Sequence, residues 1–472
     1  MARFTGWLQR VVSFRDRTAS AYAMLACAAL ASFLVIRARG ERLTAPAEPA
    51  VGLGSSPGEQ ILLHVLMSLL LVILASRALG ALFRHLHQPP ILGEVLAGIL
   101  LGPSLLGRVA PGLQALILPE RIAPQLGLLS QIGIVLFAFL IGIEFDARRL
   151  RKIPRPLRLT SHASMLAPFL MGAALALWLY PTHSAGGVSF TSFACFLGAS
   201  LSVTASPVLA RILVDRGLHK SRLGALALAC AAVDDVSAWG LLALTLAITR
   251  ADAGHALRTL LLGLLYLWFM LALVRPFVRR SLVGVEQAIH PQHITVAALV
   301  ALFASALVTE AIGLHALFGA YLFGAIIPRD SQLARQLSHR LRDLVIVVFL
   351  PAFFAFTSLR LQLSLLQASD IARGAVLIAV ACASKFGGSA LAARAAGLPW
   401  REALGLGISR NTRGLLELIV LHVGLDLGVI SPRLFALLVI MALLTTLATS
   451  PLLSLAQPWA ALAPRLAPAR GA

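Results

Sequence analysis

The stretch LGALALACAAVDDVSAWGLLALTLAI, residues 223–248, carries no charge except Asp234 and Asp235 at its middle. A helix that crosses a bilayer needs about 20 apolar residues, so this run is long enough. A charge at the membrane centre costs roughly 2.5–3.5 kcal/mol on insertion scales, and such residues are rare and usually functional. Two adjacent carboxylates are harder still to justify as packing, and they mark an ion site.

The rest of the chain agrees with a membrane setting. Of its 472 residues 58% are hydrophobic and 13% charged, and the mean hydropathy is +0.86. Soluble domains lie nearer to about 45–50% apolar and 25% charged. The expectation is an all-α polytopic membrane protein in a lipid bilayer, with no soluble stretch long enough for a second domain. A net charge of +20 would point to nucleic acid in a soluble protein. Here the basic residues fall in short loops between apolar runs, which is the positive-inside pattern and excludes a nucleic-acid partner. Cys27, Cys195, Cys230 and Cys382 lie inside apolar segments without metal-type spacing and read as small core residues. No cofactor is called for.

Hydropathy places candidate spans at 19–36, 60–83, 91–106, 126–143, 160–180, 188–210, 223–248, 257–274, 294–312, 314–328, 344–359, 371–393, 403–425 and 434–456. Basic loops follow at Arg148–Arg158, Arg211–Arg222, Arg275–Arg280 and Arg329–Arg342, while the alternate loops carry few charges. All the basic loops share one face when both termini are cytoplasmic. The first segment follows Arg10, Arg15 and Arg17 and resembles a signal peptide, but Ile36-Arg37-Ala38-Arg39 is a poor cleavage site. We read it as a retained extra helix. The expected division is therefore 1–59 (N-terminal segment, extra helix and linker), 60–457 (transmembrane domain) and 458–472 (short cytoplasmic tail).

An internal repeat is visible. Gly93-Glu94-Val95-Leu96-Ala97-Gly98 leads to Pro103, and Gly319-Ala320-Tyr321-Leu322-Phe323-Gly324 leads to Pro328. One span later in each half comes a Phe-rich stretch, with Phe137 and Phe139 in one and Phe353, Phe354 and Phe356 in the other. With the first helix set aside, the spans count as six, one and six. The odd offset between the halves makes equivalent helices antiparallel, which is an inverted-topology repeat with its site at the midplane.

Each half also contains a break. Pro207, in Ser202-Val203-Thr204-Ala205-Ser206-Pro207, cannot donate a helical hydrogen bond and frees the Val203 carbonyl. The hydroxyls of Thr204 and Ser206 can satisfy freed groups or coordinate a cation. The counterpart is Ser409-Arg410-Asn411-Thr412-Arg413-Gly414, where Arg413 and Glu417 stand i,i+4 and can pair as structural charges. Lys385 lies mid-span and needs a carboxylate, and the aspartates are its obvious partners. Successive helical residues point about 100° apart, so one aspartate can face Lys385 while the other faces the pathway. A buried carboxylate holds a proton or a hard monovalent cation but not both. Exclusive occupancy combined with alternating access is antiport. Glu94, Glu144, Asp146 and Glu310 fall near expected span ends and read as interfacial.

With these residues in place the chain resembles the monovalent cation:proton antiporters, in the branch of bacterial sodium/hydrogen exchangers and plant cation/proton exchangers. The matching stretches are QPPILGEVLAGILLGPSLLG (88–107), SVTASPVLARIL (202–213), AAVDDVSAW (231–239), IGLHALFGAYLFG (312–324) and SRNTRGLLELIVLHVGLDLGVIS (409–431), within about 60–457. The resemblance implies a thirteen-helix inverted-repeat core with broken crossing helices, an elevator-like movement and a homodimer in the bacterial inner membrane. It implies that Asp235 binds the transported ion, Na⁺ or K⁺, in exchange for H⁺, and that Asp234 pairs with Lys385. Val203, Thr204, Ser206, Pro207, Asn411 and Thr412 are the broken-helix candidates. Relatives with two aspartates are often electrogenic, which points the same way here.

Arg410 departs from the pattern, since relatives usually carry an uncharged residue there; it either alters ion affinity or pairs with Glu417. The chain also ends soon after its last span, without the nucleotide-binding domain of glutathione-gated potassium efflux systems. Two other readings are a potassium efflux system regulated by a ligand or partner, and a magnesium-dependent membrane prenyltransferase. The second calls for acidic motifs at an aqueous boundary, whereas position 238 is alanine and the aspartate pair is mid-span.

Overall fold

A computed structural model describes residues 24, 27, 31, 57–145, 155–218, 221–249, 253–285 and 291–460. By internal contacts the chain divides into Met1–Glu59 and Gln60–Ala472. The extra helix expected at 19–36 lies outside the described residues except Met24, Cys27 and Ala31, which are helical. Asp146, most of the basic loop after it and the tail beyond Ala460 lie outside them too.

From Pro57 the described chain is helical almost throughout. The helices are α1 (Pro57–His85), α2 (Pro90–Leu101), α3 (Leu106–Val109), α4 (Pro111–Ile117), α5 (Ala123–Glu144), α6 (Arg155–His183), α7 (Phe190–Ser202), α8 (Ser206–Asp215), α9 (Arg222–Thr249) and α10 (Ala253–Phe269). They continue with α11 (Arg275–Val285), α12 (Pro291–Ile312), α13 (Ala316–Ile326), α14 (Gln332–Leu344), α15 (Leu350–Arg360), α16 (Ala368–Ala395), α17 (Trp400–Arg410), α18 (Leu415–Asp426) and α19 (Pro432–Ala460). Eleven helical stretches among the described residues are long and apolar enough to cross a membrane, and α13 is a shorter apolar helix. In hydrocarbon every backbone polar group must be satisfied within the segment, which is why runs of this composition fold as helices. The protein is an all-helical, multi-pass integral membrane protein.

Two long helices pass through a π-turn, at Met270–Val274 and Val345–Phe349. One residue after each turn comes a proline, Pro276 or Pro351. A proline removes one N–H from the ladder and its ring crowds the preceding turn, and the wider π-turn relieves that crowding. The structure also corrects two boundaries: the arginines expected in a loop at 275–280 lie on α11, and those expected at 329–342 lie largely on α14. Ser331 caps that helix by accepting from the Ala334 N–H at 3.1 Å. Leu333, Ala334 and Leu337 are buried while Arg335, Arg340 and Arg342 face outward. The amphipathic pattern made the segment too polar to register as a span, yet it is helical.

The glycines of the two repeated motifs set how closely the helices approach. A Cβ on Gly93 would collide with the Leu79 carbonyl of α1, and one on Gly319 with the Ser305 carbonyl of α12. The second glycine of each motif meets the Phe-rich stretch of the other half. A Cβ on Gly98 would lie 2.6 Å from the Phe354 carbonyl oxygen of α15, and one on Gly324 would run into the Phe139 carbonyl of α5. Here α5 and α13 touch backbone to backbone, and a Cβ on Gly142 would stand 3.0 Å from the Gly324 Cα.

Overpacking costs about 1–3 kcal/mol, and more where backbone must move. Gly324→Leu is therefore expected to abolish the monodisperse peak in size-exclusion chromatography in mild detergent. Gly186→Ala, with nothing within 4 Å of the added carbon, is the control and should elute as wild type.

Candidate functional site

Two interrupted helices meet at the centre of the molecule. Between α7 and α8 the backbone of Val203 and Ala205 is extended (φ −65°, ψ 140° and φ −89°, ψ 96°). Pro207 sits in the first turn of α8, where its missing N–H costs nothing. Between α17 and α18 the chain passes through Asn411, Thr412, Arg413 and Gly414. The two breaks are joined directly: the Ala205 N–H donates to the Thr412 carbonyl at 3.1 Å. The Thr204 hydroxyl reaches the Arg410 carbonyl at 3.4 Å.

Breaking α7 leaves carbonyls without helical partners at a negative dipole end. Two cations take them. Arg413 donates to the Ser200 carbonyl at 3.3 Å and the Leu201 carbonyl at 3.0 Å. Lys385, from α16, donates to the Ser202 carbonyl. The carbonyls with side-chain partners are thus those of Ser200–Ser202, one to three positions before the Val203 carbonyl expected from Pro207. Arg413 also pairs with Glu417 at 2.7 Å, and both are fully buried. Its backbone is held by Thr446 of α19, which accepts from the Arg413 N–H at 3.0 Å and donates to its carbonyl at 2.8 Å.

The adjacent aspartates face different surroundings. Asp234 is fully buried. Its Oδ1 accepts from Ser161 at 2.8 Å and its Oδ2 from Thr204 at 3.0 Å. The Arg410 guanidinium pairs directly with Oδ2, while the Lys385 ammonium stands 4.0 Å from the same oxygen. Arg410 is further anchored on the Ser164 hydroxyl at 2.8 Å. Arg410 therefore pairs with Asp234 and not with Glu417, because Glu417 is already taken by Arg413 one helical turn away.

Asp235 is also buried, at 7% exposed, but is held differently. Its Oδ2 accepts from Ser206, and its Oδ1 is without a hydrogen-bond partner among the described residues. It lines two adjoining cavities of about 200 and 220 Å³, which share Ile141, Glu144, Ser206 and Pro207. Tyr321 closes one wall and stacks on Trp239 with ring centroids 5.1 Å apart. At the mouth Glu144 pairs with Arg342 at 3.3 Å. Beyond it Arg329, Arg335, His339 and Arg342 border an open vestibule of about 590 Å³. Elsewhere the Ser431 N–H donates to the His183 carbonyl at 3.0 Å, and Ser184 bridges Ile430.

Among the expected broken-helix residues, Ser206 and Pro207 line these cavities with Asp235, whereas Val203, Thr204, Asn411 and Thr412 line neither. Thr412 caps α17 by donating to the Ser409 carbonyl at 2.8 Å, and Asn411 donates to the Cys382 sulfur at 3.4 Å. Glu94, expected at a solvated span end, is instead buried at 7% exposed. It lines the cavity that Asp235 lines and stands 3.7 Å from Arg77. Glu144 is at an exposed helix end, and Glu310 accepts from the Ala316 N–H at 2.8 Å. Ser161, Ser164, Tyr321 and Thr446 had no signal, since hydroxyl residues are ordinary in membrane helices. Glu94 had one, a carboxylate inside an apolar run.

Removing one partner of a buried ion pair costs about 3–5 kcal/mol, whereas an exposed pair contributes about 0–1 kcal/mol. Glu417→Ala should lower the thermal midpoint in detergent by far more than Asp215→Ala, which breaks the exposed Arg211–Asp215 pair at 3.0 Å. Equal shifts would refute the central role given to Arg413–Glu417.

Residues 66–455 match the family model described as sodium/hydrogen exchanger, transmembrane. The Na⁺/H⁺ antiporter NhaS4 of Synechocystis sp. is 43% identical over 395 residues, 83% of this chain and 96% of that protein. Cation/H⁺ antiporter 18 of Arabidopsis thaliana is 36% identical over 84% of this chain, and K⁺/H⁺ antiporter 1 of Saccharomyces cerevisiae 32% over 82%. The chain spans about half the length of these two, 49% and 46%. The sodium proton antiporter MjNhaP1 of Methanocaldococcus jannaschii shares the fold, with a TM-score of 0.59 at 16% identity, over 84% of this chain and 98% of that one. The chain belongs to the sodium/hydrogen exchanger family.

Proposed function

We propose that this protein exchanges protons for a monovalent cation, Na⁺ or K⁺, and that Asp235 carries each in turn. The observation that carries this reading is the position of Asp235: a carboxylate with one unpaired oxygen at the base of a cavity, beside two broken helices. Ser206 is its neighbour and the remaining first-turn residue of α8 able to offer a hydroxyl. A site with one carboxylate holds a proton or a cation, so loading with one expels the other. Relatives named as Na⁺/H⁺, K⁺/H⁺ and cation/H⁺ antiporters support the class and leave both cations open.

The proposed mechanism is alternating access by an elevator-like movement of one part of a 6+1+6 inverted repeat within 60–457. The glycine contacts support the repeat: the first glycine of each motif meets the preceding helix, and the second meets the Phe-rich helix of the opposite half. We place the protein in a bacterial inner membrane as a homodimer, with both termini and the basic loops cytoplasmic.

The test is dequenching of a pH dye in proteoliposomes on addition of Na⁺ and then K⁺. Wild type should move protons with at least one cation, and Asp235→Asn should fall to the background of empty vesicles. A response retained in Asp235→Asn would remove Asp235 from the transport step. Competition at one carboxylate has a second consequence. With the site protonated, the cation concentration giving half-maximal response should rise about tenfold for each unit the pH falls. A half-maximal concentration independent of pH would show that proton and cation do not compete.

A further inference from the structure

The buried charges at the breaks balance. Asp234, Asp235 and Glu417 face Lys385, Arg410 and Arg413, and all six are buried. Glu417 is spoken for by Arg413. The remaining question is which cation holds Asp234. Arg410 makes the direct ion pair and Lys385 stands off at 4.0 Å, with its hydrogen bond going to the Ser202 carbonyl instead. Asp234 is also held by Ser161 and Thr204, so both of its oxygens are occupied.

The identity of the cation matters because a guanidinium keeps its proton and an ammonium can give it up. Where a lysine alone pairs with the first aspartate, cation binding next door can release a proton from the lysine as well as from the carboxylate. The cycle then moves unequal charge. A guanidinium in that place cannot contribute a proton, and it leaves the lysine to cap the end of α7.

We infer that Arg410 is a positioning residue that holds Asp234 in a direct ion pair and makes the exchange one cation for one proton, without net charge movement. This rests on the antiport reading above and contradicts the electrogenic expectation drawn from the paired aspartates. With Asp235 ionised and empty the six groups sum to zero; with a proton or a monovalent cation on Asp235 they sum to one positive charge. Both loaded forms then carry the same charge across, and one returns for each that leaves. No bond other than the O–H of Asp235 is made or broken.

The experiment pairs the pH-dye assay with current recording from the same proteoliposomes on a solid-supported membrane after a jump in the cation that drives the dye response. Wild type is expected to give the dye response without sustained transport current. Arg410→Leu, which leaves Lys385 as the cation facing Asp234, should transport with a current. If the leucine variant does not fold, Arg410→Lys keeps the buried charge but introduces a group that can shed its proton, and it too should pass current. A current in wild type, or a variant that transports without one, overturns the inference. Absence of any dye response in wild type would instead defeat the antiport reading on which it rests.

Discussion

A helix broken inside a membrane exposes carbonyl groups that no water can satisfy, and the centre of this protein is organised around that debt. Each unsatisfied backbone group in hydrocarbon costs several kcal/mol. The end of α7 resolves it with the Arg413 guanidinium and the Lys385 ammonium on Ser200, Leu201 and Ser202. Those cations in turn require anions. Glu417 answers Arg413, and Asp234 answers Arg410 with Lys385 nearby. The need to close the break thus sets the positions of α16, α17, α18 and α9 together. Thr446 adds α19 by clasping the Arg413 backbone on both sides.

The same arrangement divides the labour of the paired aspartates. Adjacent positions on α9 point about 100° apart, so one carboxylate enters the polar network and the other leaves it. Asp234 is fully engaged. Asp235 meets Ser206, at the start of α8, where helix-end N–H groups favour negative charge. Its other oxygen has no hydrogen-bond partner among the described residues. A carboxylate with every oxygen committed holds structure, and one with an oxygen to spare can exchange its partner.

Close backbone approach is the second requirement, and glycine meets it. Gly142 and Gly324 bring α5 and α13 together next to the cavity wall that Tyr321 and Ile141 form. Larger residues there would hold the helices apart and widen the space beside Asp235. The glycines and the charges therefore act on the same site: one group sets the cavity's shape, the other its electrostatics.

The features legible in the chain are those that depend on neighbours along it. Apolar runs locate the helices because the bilayer demands about 20 residues of internally bonded backbone. Pro207 marks one break, and Arg413 and Glu417 are readable as a pair because i,i+4 positions share a face. The aspartates stand out because charge is costly in an apolar run. What the chain could not declare are contacts between distant helices. That Arg410 lies against Asp234 rather than Glu417, that Lys385 bonds a carbonyl and stands off from the carboxylate, and that Glu94 shares a cavity with Asp235 all depend on how α2, α8, α9, α16 and α17 pack. Helical periodicity encodes which way a side chain points from its own axis. Only the packed structure decides what it meets there, because that is fixed by the distance and rotation of another helix.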